Sequence, residues 1–89
     1  MGMQIQTHIR VWREGRQFIA HALPLDVASS GPDETAARSA LRDAIELFID
    51  SARAMGTLDE ILDECGYTLT DGTWRAPTIL SQESDLLAV

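Results

Sequence analysis

The chain has 89 residues, 45% hydrophobic and 24% charged, with fourteen acids against seven basic residues and a formal charge of −7. That length predicts one domain, residues 1–89, with a modest core, and no run approaches the roughly 20 apolar residues of a membrane span. The acidic balance excludes a direct nucleic-acid binder, which needs clustered Lys and Arg.

The charge is uneven. Glu14 is the only acid before Pro24, a stretch that holds Arg10, Arg13 and Arg16; the other acids follow from Asp26 onward. An acidic body favours solubility and also suits a basic partner. The start, MGMQIQTHIR, lacks the basic-then-apolar layout of a secretory signal, and Gln6 stands where a myristoylation site needs a hydroxyl residue. The expected location is the cytoplasm. Cys65 is the only cysteine, so no intrachain disulfide forms, and it reads as a small buried hydrophobe.

In chain order, Gln4 to Trp12 alternates, with Ile5, Thr7, Ile9 and Val11 on one face of a predicted strand. Arg13-Glu14-Gly15-Arg16 is a turn, and Gln17 to Leu23 returns antiparallel. On this second strand Phe18, Ala20 and Ala22 share one face while Ile19, His21 and Leu23 share the other. Both faces are largely apolar, so a second subunit or a partner is expected over the second one. Pro24 ends the strand, and Leu25 to Ser30 is a short third strand.

The organising element is a long amphipathic helix from Asp33 to Met55. Its stripe is Ala37, Leu41, Ala44, Ile45, Phe48, Ala52 and Met55, with Phe48 as the expected buried centre. Asp33 is placed to cap its start and Gly56 its end. Thr57 is expected to cap a second helix with Leu58, Ile61, Leu62 and Cys65 inward and Asp59, Glu60, Asp63 and Glu64 outward; Gly66 ends it. Tyr67–Thr70, Asp71-Gly72 and Thr73–Arg75 spell a hairpin. Ser84 to Val89 is expected to add one more strand, paired along a sheet edge within the subunit or across a dimer. The predicted fold class is α+β, a small antiparallel sheet of β-β-β-α-β type with one long helix on one face, a short second helix and a C-terminal hairpin or strand.

No catalytic constellation emerges. There is no Gly-rich phosphate loop, G-x-S-x-G or H-E-x-x-H. Asp43, Glu46 and Asp50 share a helix face and could hold a divalent metal for phosphodiester chemistry, but a solvated face explains them as well. His8 and His21 have no adjacent nucleophile, and Trp12 and Trp74 read as interface or core aromatics. The residues by themselves give no enzyme activity and no cofactor site. The candidate partner-contacting residues are Trp12, Ile19, His21 and Leu23, with Leu87 and Val89 from the tail.

Three stretches resemble the HicB family of antitoxin-like domains. They are Gly15-Arg16-Gln17-Phe18-Ile19-Ala20-His21-Ala22-Leu23-Pro24, Gly31 before the helix, and the helix run Asp43-Ala44-Ile45-Glu46-Leu47-Phe48-Ile49-Asp50. The last is similar to the family's acid-Ala-Ile-Glu-Leu-aromatic-Leu-acid string. One departure is the turn after the second strand, where Leu23-Pro24-Leu25-Asp26 replaces the family's Leu-Pro-Gly-Cys. The resemblance implies a stand-alone member without the DNA-binding domain of self-regulating relatives. It also implies a partner: a small basic HicA-type mRNA interferase toxin with a catalytic histidine, neutralised by covering its RNA-binding face. The alternative it leaves open is an orphan homo-dimer or tetramer with no toxin.

Overall fold

The computed structural model describes residues 3–88. Two small sheets flank one long helix, which is the expected α+β architecture. The first sheet holds β2 (His8–Glu14), β3 (Gln17–Leu23) and β4 (Val27–Gly31) in the order β2-β3-β4, antiparallel throughout. The second holds β1 (Gln4–Ile5), β5 (Thr68–Thr70) and β6 (Thr73–Arg75) in the order β1-β6-β5. There β5 and β6 form the expected hairpin, while β1 joins β6 in parallel. Between β4 and β5 come α1 (Glu34–Met55) and α2 (Leu58–Glu64).

The turns follow from residue chemistry. Gly15 takes φ 60° as the first central residue of the β2–β3 turn, where Glu14 opposes Gln17. Asp71 and Gly72 both have positive φ, as a two-residue hairpin of the primed type demands. The Asp33 carboxylate accepts the Ala36 N–H at 2.7 Å and caps α1, and Gly56 closes it in the left-handed region at φ 73°.

The long strand expected over Gln4–Trp12 is broken at Gln6-Thr7. Gln6 is tied to the second sheet three times. Its N–H donates to the Trp74 carbonyl at 2.9 Å, its carbonyl accepts the Tyr67 hydroxyl at 2.6 Å, and its side-chain oxygen accepts the Ala76 N–H at 3.0 Å. These bonds peel β1 away from β2, so alternation alone misreads one strand where there are two.

The core has two clusters. Ala20, Ala22, Ala37 and Leu41 are fully buried where α1 meets β3. Leu25, Ala52, Leu58, Leu62, Tyr67, Trp74 and Ala76 form the other, around α2 and the hairpin. Val27 and Ile45 pack against both. Leu41, not Phe48, is the buried centre of the α1 stripe: Phe48 is half-buried at the side of the α2 cluster, and Met55, expected inside, is 75% exposed. In the last turn Ala52 is buried in the α2 cluster while Met55, three residues on, is left in solvent. Thr57 also departs from expectation. It makes no side-chain cap to α2, and its hydroxyl donates instead to the Ala52 carbonyl at 3.4 Å. The buried indole N–H of Trp74 has no acceptor among the described residues.

The tail differs as well. Residues 76–88 form no helix or strand, so the strand expected over Ser84–Val89 is absent from its described part. Leu86 and Leu87 are 97% and 78% exposed. Glu83 and Asp85 beside them are exposed too. Among the described residues no helix is long and apolar enough to cross a membrane.

Candidate functional site

The helix covers only one face of the first sheet. Ala20 and Ala22 of β3 point into the α1 cluster, so Ile19, His21 and Leu23 point to the opposite, uncovered face. The register places Trp12 opposite Ile19, Arg10 opposite His21 and His8 opposite Leu23. Four of the six residues singled out from the sequence, Trp12, Ile19, His21 and Leu23, therefore lie together on this outer face. Leu87 does not join them, since it lies on the exposed tail, and Val89 lies outside the described residues.

His21 is the best-connected side chain of this face. Its Nε2–H donates to the Asp26 carboxylate at 2.6 Å, and the Arg10 guanidinium, which can only donate, reaches Nδ1 at 3.4 Å. These two contacts select the tautomer with hydrogen on Nε2. The Trp12 ring stands edge-on to the imidazole, 6.2 Å between centroids at 74°. The Trp12 indole N–H donates to Glu14 at 2.9 Å. At the lower end of the face His8 Nε2 donates to the Pro77 carbonyl at 3.2 Å.

Arg10 and Asp26 are the members that sequence reasoning missed. Asp26 reaches His21 because the chain turns after Pro24, with the Asp26 N–H donating to the Ala22 carbonyl at 2.9 Å and Asp26 itself at φ 60°. A polar residue following a proline at the end of a strand was the available signal, since Asp tolerates the left-handed region better than most residues.

The carboxylate of the Arg10–His21–Asp26 chain is 82% exposed, open to solvent screening. Trp12, at 39% exposure, and the half-buried Ile19 and Leu23 supply apolar area, while the imidazole and guanidinium supply direction. As for Asp43, Glu46 and Asp50, no group of three His, Cys, Asp or Glu among the described residues is placed to hold a metal ion. Asp50 lies instead 3.9 Å from Arg53 on the surface of α1.

Compared with known proteins, the chain matches no family model, no curated protein and no solved structure.

Proposed function

We propose that this chain is a protein-binding module of the antitoxin kind, whose outer sheet face packs against a small basic ribonuclease of the HicA type and closes off its RNA-binding surface. The observation that carries the reading is the two-sided strand β3. Its alanines are buried under α1, while Ile19, His21 and Leu23 stand beside Trp12 on a face that carries no helix or second sheet among the described residues, only the tail at its His8–Leu23 end. The resemblance of Gly15–Pro24 and Asp43–Asp50 to HicB domains supplies the class of partner. The formal charge of −7 supplies the long-range attraction to a cationic one.

The test is co-purification of the tagged chain from its native cytoplasm, joined to co-expression with any small basic protein recovered. A fixed-ratio basic partner whose toxicity the chain relieves, with relief lost in Ile19→Asp or Leu23→Asp, supports the proposal. Recovery of no basic ribonuclease, together with no rescue, sinks it. A second reading, a homo-oligomer without a toxin, is favoured by the exposed apolar tail residues Leu86 and Leu87, which nothing in a lone subunit covers.

A further inference from the structure

A second uncovered surface lies on the other side of β2. Because α1 lies mainly over β4 and β3 and barely reaches β2, a groove of about 490 Å³ opens between that strand and the helix. Ile5, Ile9, Ile45 and Ile49 form its apolar wall; Arg38, Arg42 and Glu46 project from α1 along it. Ile9 is 43% exposed although it lies on the helix side of the sheet. As the end strand of the order β2-β3-β4, β2 also has no strand along its outer side among the described residues.

Charge narrows what can lie there. Beside Arg38 and Arg42 on the helix, β2 itself carries Arg10 and Arg13. Pairing β2 with its own copy in a register that sets Arg10 against Arg13 or against itself would oppose like charges, which destabilises a ladder. An extended acidic segment with an apolar end fits instead, and the chain contains one in Glu83-Ser84-Asp85-Leu86-Leu87-Ala88. Laid out as a strand, Glu83, Asp85 and Leu87 share one face over about 13 Å. Arg38 lies roughly 10–16 Å along the helix from Ile45 and Ile49, so acids meet arginines where the leucine meets isoleucines. Leu86 then turns to the outer face, on the Trp12 side of the edge strand.

We propose that this groove binds the segment Glu83–Ala88 of a second copy of the chain, added as a strand along β2, with Asp85 and Glu83 on Arg42 and Arg38 and Leu87 among the isoleucines. A subunit's own tail does not enter the groove. Ile79, Ser81 and Gln82 lie beside His8, Ile9 and Arg10 at the edge of β2, yet none of residues 83–88 lines the groove, and Leu86 and Leu87 of the same subunit stand in solvent. Exchange between copies is reciprocal, two tails filling two grooves, and closes as a twofold dimer. This deepens the homo-oligomeric reading by giving it an interface, and it stands whether or not a toxin exists, because the outer-face residues Ile19 and His21 take no part.

Sedimentation equilibrium of the full chain over a concentration series tests it. The wild type is expected at dimer mass, and Leu87→Asp and Arg42→Glu at monomer mass with unchanged far-ultraviolet circular dichroism. The double variant Arg42→Glu with Asp85→Arg is expected to recover the dimer by reversing the pair. Since Leu87 is exposed in the lone subunit, Leu87→Asp leaves folding intact and decides the matter even if Arg42→Glu does not fold. A wild type that is monomeric at every concentration overturns the proposal, as does a Leu87→Asp variant that assembles like the wild type. Amide protection of residues 83–88 in a monomer also overturns it, by showing the subunit's own tail as occupant.

Discussion

The Tyr67 hydroxyl donates to the backbone carbonyl of Gln6 at 2.6 Å, joining residues 61 positions apart. The bond holds the start of the chain to the C-terminal hairpin at the point where β1 leaves the line of β2. Burial, aided by the negative charge of the neighbouring Cys65 once it is a thiolate, raises the Tyr67 phenol from 10.0 to about 12. The neutral, donating form is therefore the one the fold prefers.

Tyr67 supplies the first prediction, and it is the chain's only tyrosine, so tyrosinate absorbance reads it directly. Because the folded value exceeds the unfolded one, its contribution to stability is complete below about pH 10 and is lost as pH rises towards about 12. Urea titrations at neutral pH and across that window check this, and Tyr67→Phe should flatten the loss. At neutral pH the same substitution should cost about 1–2 kcal/mol, since it strips the Gln6 carbonyl of its donor. A tyrosinate midpoint near 10 in the folded protein would mean that the phenol is not buried as described.

Leu41 and Phe48 rank the packing of α1. Leu41 is fully buried between helix and sheet, whereas Phe48 is half-buried. Leu41→Ala should cost about 3–4 kcal/mol, a large share of the stability of so small a domain, and Phe48→Ala about 1–3 kcal/mol. Denaturant midpoints of the two variants give the order. A reversed order would show the helix turned about its axis relative to the arrangement described.

Gly31 is needed for closeness and not for a left-handed φ. A Cβ there would stand 2.7 Å from the Ala37 nitrogen and 2.8 Å from the Ala36 Cβ, inside the first turn of α1. Gly31→Ala should cost about 1–3 kcal/mol by pushing helix and β4 apart. Gly15, on the β2–β3 turn and facing open space, separates steric crowding from backbone strain. Gly15→Asn should be nearly neutral because asparagine tolerates positive φ. Thermal unfolding of both variants tests the contrast.

Asp26 combines a positive φ with an exposed partner for His21. Asp26→Gly relaxes the backbone while losing the contact, and should change stability by less than about 0.5 kcal/mol. Asp26→Val should cost about 1–2 kcal/mol through left-handed strain in a β-branched residue. Imidazole nitrogen shifts of His21 in Asp26→Gly would report the freed ring. If Asp26→Gly proved as damaging as Asp26→Val, the His21 contact would outweigh the backbone.

Local chemistry made much of this protein legible in its sequence. Asp33 and Gly56 bound α1 because capping depends on residues within one turn, and Asp71-Gly72 makes its hairpin because both positions accept positive φ. The division of β3 into Ala20/Ala22 and Ile19/His21/Leu23 faces needs only the strand period, so three candidate interface residues could be placed on one face in advance, and the β2–β3 register adds Trp12 to them. Tertiary structure decided what period cannot express. Alternation runs unbroken from Gln4 to Trp12, yet Gln6 bonds to Tyr67, Trp74 and Ala76, and residues so distant in sequence leave no local mark where the strand divides. Likewise, the helical stripe runs on to Met55, but only the elements packed against α1 determine that Leu41 is enclosed, Phe48 half-covered and Met55 left in solvent. Side-chain period is a property of one segment; burial depends on where the neighbouring segments stop.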